Sequence, residues 1–181
     1  MKPEIPFEPF PKISRYNREI IITEKIDGTN ALVYVNDAGD RVFAGSRSRW
    51  ISPGDDNFGF ASWVQKNEES LLKLGPGSHF GEWWGSGIQR GYGLSEKRFS
   101  LFNVGRWTEG SYPACCHVVP VLAKGMFSDL SIPLILASLK ISGSLAAPGY
   151  MKPEGVVIFH THSSSLFKMT LDQNDAAKGN P

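Results

Sequence analysis

The chain has 181 residues, 41% of them hydrophobic, with 19 Lys and Arg against 18 Asp and Glu for a formal net charge of +1. That length suits one domain, expected over 1–181 with no C-terminal accessory domain, and near-neutrality excludes a bulk field for polyanions, so such a partner needs a local basic surface. No run approaches the ~18 apolar residues of a membrane helix, and Met1-Lys2-Pro3-Glu4 lacks a signal peptide's charged-then-apolar pattern.

Residues 1–18 are proline-rich and are expected to wrap the surface ahead of the first strand. The β-branched run Ile20-Ile21-Ile22-Thr23 predicts a strand over 19–25. Strands over 31–35 and 41–45 follow, joined by the turn-forming Asn36-Asp37-Ala38-Gly39-Asp40. Phe60, Val64, Leu71 and Leu74 recur at helical spacing, predicting a helix from Phe58 to Leu74 capped by Asn57 and stopped by Gly75-Pro76-Gly77. Strands over 78–84, 98–104 and 117–122 come next, then a short helix from Ser131 to Lys140 with Pro133 in its first turn. Gly143 to Pro153 reads as a loop, 155–160 and 165–171 as closing strands, and 172–181 as a polar, frayed tail. Strands with few helices between them predict an α+β fold with mainly antiparallel sheets and flanking helices. Cys115 and Cys116 are adjacent, too close to staple a fold, which points to a reducing, cytoplasmic compartment.

Several polar residues sit where chemistry could use them. Lys25 ends the apolar run; a nucleophilic lysine must be neutral, and desolvation lowers its free pKa of about 10.4. Without further motifs it would read as an exposed hairpin lysine. Asp27 could orient that amine or cap the Gly28 turn. Arg47 and Arg49 share a face at a strand's period of two, and a guanidinium fork matches phosphate oxygens. Arg49 could equally form a surface ion pair. Glu82 lies among glycines and tryptophans, where an unpaired charge is costly. On a strand, Trp83 and Trp84 point to opposite faces, and core packing is the default for both. Phe99 and Leu101 share one face, Phe102 and Val104 the other. Glu154 opens an apolar strand, suited either to a hard cation or to guarding a sheet edge. His79, His117, His160 and His162 form no metal or triad signature, and a solvated loop accounts for the last two. No Gly-x-x-x-x-Gly-Lys phosphate loop is present.

Six segments occur in a recognisable order. They are Lys25-Ile26-Asp27-Gly28-Thr29-Asn30, Ser46-Arg47-Ser48-Arg49, Phe80-Gly81-Glu82-Trp83-Trp84-Gly85, Arg98-Phe99-Ser100-Leu101-Phe102-Asn103, Pro153-Glu154-Gly155-Val156-Val157-Ile158 and Leu166-Phe167-Lys168-Met169. Together they resemble motifs I, Ia, III, IIIa, IV and V of the covalent nucleotidyltransferases, the superfamily of RNA ligases, DNA ligases and mRNA capping enzymes. The resemblance covers roughly residues 10 to 171 and is closest to the ATP-dependent RNA ligases of the RNA-ligase-2-like branch.

That resemblance implies a ligase-type adenylyltransferase domain in which Lys25 attacks the α-phosphate of ATP, expels pyrophosphate and holds AMP as a phosphoramide. AMP then passes to a 5′-phosphate end, and a 3′-hydroxyl displaces it. It further implies a catalytic contribution from Asp27, Glu24 near the adenine, Arg47 on the nucleotide and Glu82 on the ribose. Phe99 would stack on the base, leaving Phe102 for the core. Glu154 would bind Mg²⁺ or Mn²⁺, and Lys168 would contact the α-phosphate. RNA is the implied partner, as a nicked duplex or single-strand ends, with a DNA strand open as an alternative and a protein partner open as the substitute for an accessory domain. One position departs from the pattern: Thr170 stands where motif V commonly carries a second lysine. A GTP-using capping-type guanylyltransferase and a non-catalytic nucleotide or RNA-end binding module are the alternatives.

Overall fold

The computed structural model describes residues 5–172. In chain order the strands are β1 (Glu19–Lys25), β2 (Thr29–Val35), β3 (Val42–Gly45), β4 (Trp50–Ile51), β5 (Gly77–Gly85), β6 (Lys97–Leu101), β7 (Cys116–Val118), β8 (Val121–Met126), β9 (Gly155–His160) and β10 (Ser165–Thr170). The helices are α1 (Phe60–Lys66), α2 (Glu68–Leu71) and α3 (Ile132–Ser142). The strands form a four-stranded sheet in the order β10-β9-β1-β8 and a six-stranded sheet in the order β4-β3-β2-β5-β6-β7. All pairings are antiparallel except β6 with β7, as the α+β expectation requires.

Alternation along β1 decides which side chains meet the core. Ile20, Ile22 and Glu24 are buried on one face, while Ile21, Thr23 and Lys25 are half-buried on the other. Ile20 and Ile22 join Val156, Ile158 and Leu139 of α3 in one apolar cluster. A larger cluster lies between the six-stranded sheet and α1–α2, built from Val33, Phe60, Trp83, Phe99 and Leu101. A third contains Ile26, Trp84, Tyr92, Val119 and Ala147, beside the turn that follows Lys25.

The structure divides the expected Phe58–Leu74 helix. Asn67 leaves helical geometry with φ −109°, its amide donating to the Trp63 carbonyl at 2.8 Å, so α1 ends and α2 begins there. The first turn is capped by Asp56, which accepts the Ala61 and Ser62 N–H groups at 2.7 and 3.0 Å. Asn57 instead reaches Thr29 Oγ1 at 3.1 Å. The N-terminal segment does not wrap the surface: Ile5, Phe7, Phe10 and Ile13 are exposed. Its first firm anchor is Tyr16, whose ring meets Phe127 at 4.3 Å and whose carbonyl accepts from His160 Nε2 at 2.8 Å. His160 is thus a buried strand residue rather than part of a solvated loop. Cys115 and Cys116 are free thiols with Sγ atoms 3.9 Å apart. No helix among the described residues is long and apolar enough to cross a membrane. The frayed tail expected over 172–181 lies, beyond Asp172, outside the described residues.

Candidate active site

Three strands set the position of Lys25. Along β9 and β10 it is aligned with Gly155 and Thr170, and the next row on the same face aligns Thr23, Val157 and Lys168. Lys25, Lys168 and Thr170 therefore face the same side. Gly155 makes this possible, because a Cβ there would stand 2.2 Å from the Met169 carbonyl oxygen. The residue before it, Glu154, is buried and places Oε2 at 2.6 Å from Lys25 Nζ. Lys168 is exposed.

Glu82 approaches from the second sheet. Its Oε1 accepts the Gly28 N–H at 3.1 Å. Gly28 must lack a side chain to come so close, since a Cβ would lie 2.5 Å from the Trp83 carbonyl oxygen and 2.7 Å from Trp84 Cβ. Burial pushes the Glu82 carboxyl up to about 7; Lys25 and the Gly28 N–H oppose the rise, while Glu154 and Asp27 add to it. The site thus holds a carboxylate committed to the amine beside a carboxyl that titrates near neutrality.

Asp27 does not aim at Lys25. Its Oδ2 accepts from Arg90 Nε at 2.9 Å, and its backbone N–H donates to the Tyr92 hydroxyl at 2.8 Å. Arg90 also donates to the Lys152 carbonyl at 3.2 Å and pairs with Asp172. Sequence reasoning missed Arg90 and Tyr92, which lie in the β5–β6 loop, where no periodicity marks them. Positive-φ residues at Gly87, Gln89, Gly91, Tyr92 and Gly93 bend that loop, which meets the Lys25–Gly28 turn through Arg90 and Tyr92 on Asp27.

Other expected site residues fall elsewhere. The Glu24 carboxylate points into the core face, accepting from Ser144 Oγ at 2.5 Å and from the Leu145 and Ala146 N–H groups at 2.8 and 3.0 Å. It fastens the 143–150 loop behind β1. Phe99 is fully buried, with its ring 5.3 Å from Phe60 and 5.7 Å from Trp63, so a base cannot stack on it as placed. The cause is Gly81: a Cβ there would lie 2.6 Å from the Phe99 ring, and its absence lets the ring slide beneath β5. Phe102, expected in the core, is 39% exposed. Arg47 and Arg49 lie in the tight turn between β3 and β4, closed by the Ser46 N–H on the Arg49 carbonyl at 2.8 Å, so they do not share a strand face. Arg49 is held by both oxygens of Asp55, whereas Arg47 is exposed.

No three His, Cys, Asp or Glu side chains among the described residues form a metal cage. Mg²⁺ and Mn²⁺ do not need one beside a polyphosphate, since one carboxylate with phosphate oxygens and water suffices. Glu154 fits that demand as a buried carboxylate beside the Lys25 amine, which it meets through Oε2.

Two largely antiparallel sheets, with a lysine at a strand end facing carboxylates from both, define a ligase-type nucleotidyltransferase fold. The chain matches the RNA ligase family model over residues 18–171 and belongs to that family. Structures of a Naegleria gruberi RNA ligase share the fold. A variant with ATP and Mn gives a TM-score of 0.62 at 20% identity, covering 87% of this chain and 51% of that one. A variant with AMP and Mn gives 0.58 at 19% identity, covering 86% and 50%. The chain spans about half the length of these ligases. No match to a curated protein was found.

Proposed function

We propose that this chain carries the catalytic centre of an ATP-dependent RNA ligase, with Lys25 as the residue that becomes adenylylated. The observation that carries the proposal is the 2.6 Å contact between Lys25 Nζ and the buried Glu154 carboxylate, at the mouth of the turn that Glu82 braces. Family membership supports ATP as the donor and RNA as the acceptor, and disfavours both the capping enzyme and the non-catalytic module.

Lysine attacks only as the free amine, and Glu154 Oε2 is within reach to accept its proton. The Nζ–phosphorus bond forms as the bond from the α-phosphorus to the pyrophosphate oxygen breaks, leaving AMP as a phosphoramide on Lys25. Lys168, on the same sheet face one row away, supplies positive charge to the α-phosphate, with the Thr170 hydroxyl in Lys25's own row. Bound Mg²⁺ or Mn²⁺ on Glu154 would neutralise triphosphate charge. Glu82 and Asp27 hold the turn that presents the amine, and Arg47 extends an exposed guanidinium from the β3–β4 turn. The AMP then passes to a 5′-phosphate RNA end, whose phosphorus a 3′-hydroxyl attacks with AMP leaving.

The test is incubation with α-labelled ATP and Mg²⁺ or Mn²⁺ followed by denaturation. Label retained on the chain and lost in Lys25→Ala is the expected result; labelled GTP serves as control. A folded chain that takes no label from ATP with either metal would sink the proposal.

A further inference from the structure

The open face of the six-stranded sheet carries aromatic rings that the core does not use. Register aligns Trp50 with Gly45, Gly45 with Leu32 and Leu32 with Phe80. The Phe102 N–H donates to the Phe80 carbonyl at 3.0 Å, bringing Phe102 into the same row. One row thus runs across five neighbouring chain segments, Trp50, Gly45, Leu32, Phe80, Phe102. Trp50 and Phe80 are each 59% exposed. A second row carries Phe43 opposite Tyr34, with the Tyr34 ring 6.2 Å from Phe43 and 5.8 Å from Trp50. The helices α1 and α2 pack on the opposite face, so these rings are not there to hold them.

Two features say what lies on this face. The row beside Leu32–Phe80 is Asn30–Glu82, so the aromatic platform continues directly into the candidate active site, about 7 Å away along the strands. At the platform's other edge, the β3–β4 turn beside Trp50 exposes Arg47, which has no acidic partner among the described residues. Gly45 keeps the floor flat between Trp50 and Leu32. Flat rings tolerate any base, and a cation beside them meets phosphate. A net charge of +1 gives no general attraction for nucleic acid, so stacking must carry much of the affinity.

We propose that this row is the seat of the RNA strand, with bases stacked on Trp50 and Phe80 and a backbone phosphate on Arg47. The proposal rests on the RNA ligase assignment and adds to it where the strand runs. Binding follows stacking more than charge, so its salt dependence is shallow.

The experiment titrates a fluorescent, 5′-phosphorylated single-stranded RNA with the full chain and its variants. Trp50→Ala and Phe80→Ala are each expected to weaken binding about tenfold or more, and Trp50→Phe to restore most of it. Arg47→Ala is expected to flatten the log–log salt slope by about 0.7. Adduct formation from ATP is measured separately on the unsubstituted chain. RNA affinity unchanged in both alanine variants overturns the platform while leaving adduct chemistry standing. Weakening that Trp50→Phe does not restore also counts against it, as does self-association lost in the variants with RNA affinity unchanged. A missing adduct from the unsubstituted chain overturns the ligase assignment instead.

Discussion

Lys25 Nζ and Glu154 Oε2 are 2.6 Å apart although 129 positions separate them in the chain. The β1–β9 ladder produces that contact, because it ends with Lys25 opposite Gly155 and leaves Glu154 to turn in beside the amine. The carboxylate of one motif and the amine of another are thereby fixed by backbone hydrogen bonds rather than by flexible side chains.

Glu154→Gln should retain the hydrogen-bond geometry but neither accept the lysine proton nor offer a charged ligand to a cation. Adduct formation should slow by about 10²-fold or more, measured as the single-turnover rate with labelled ATP. A rate within a few-fold of the parent would remove Glu154 from the chemistry.

Glu82 gives stability a pH dependence whose sign is opposite to that of a salt-bridged acid. Its carboxyl is raised from 4.5 to about 7 in the folded chain, so across that window the folded state holds the proton that the unfolded state has released. This contribution to stability falls as pH rises from about 4.5 to about 7 and is level outside the window. Glu82→Gln keeps an acceptor for the Gly28 N–H and should abolish the fall, which melting temperatures between pH 4 and 8 would reveal.

Gly28→Ala should be costly for its size. The added carbon would meet the Trp83 carbonyl oxygen at 2.5 Å, so the turn must lift away from Glu82. Urea unfolding should show a loss of about 1–3 kcal/mol, with adduct formation reduced as well. Unaltered stability would mean that the turn has room the structure does not give it.

Glu24→Gln would keep an oxygen on the Leu145 and Ala146 N–H groups only by turning its new amide donor onto Ser144 Oγ, which donates to Glu24 in the parent. The buried mismatch should cost about 1–3 kcal/mol. Hydrogen exchange at those two amides should accelerate ahead of the β1 amides. If all exchange together, the loop is not held by Glu24.

Much of the fold was legible because strands announce themselves through β-branched runs and alternation. Strands β1, β9 and β10 lie within a residue of their expected bounds. The two-residue β4 was not visible, since Trp50 and Ile51 carry no period. The order of the motifs singled out Lys25, Glu82 and Glu154, and the fold brings them to one turn. Periodicity separates Phe99 from Phe102 but cannot say which face is inside. Gly81 decides it, through a contact across strands. Arg90 was invisible for another reason: its partners, Asp27, Lys152 and Asp172, are far apart in the chain, and only the folded loop gathers them.

The Arg90 clamp bears on where this chain can be cut. Asp172 lies past the end of β10, yet Arg90 links it to Asp27, two residues from Lys25. A fragment trimmed at Thr170, where the last strand ends, would preserve every strand pairing and still remove one of the two carboxylates on Arg90. The boundary of the working unit is therefore set by a side chain two residues beyond the sheet.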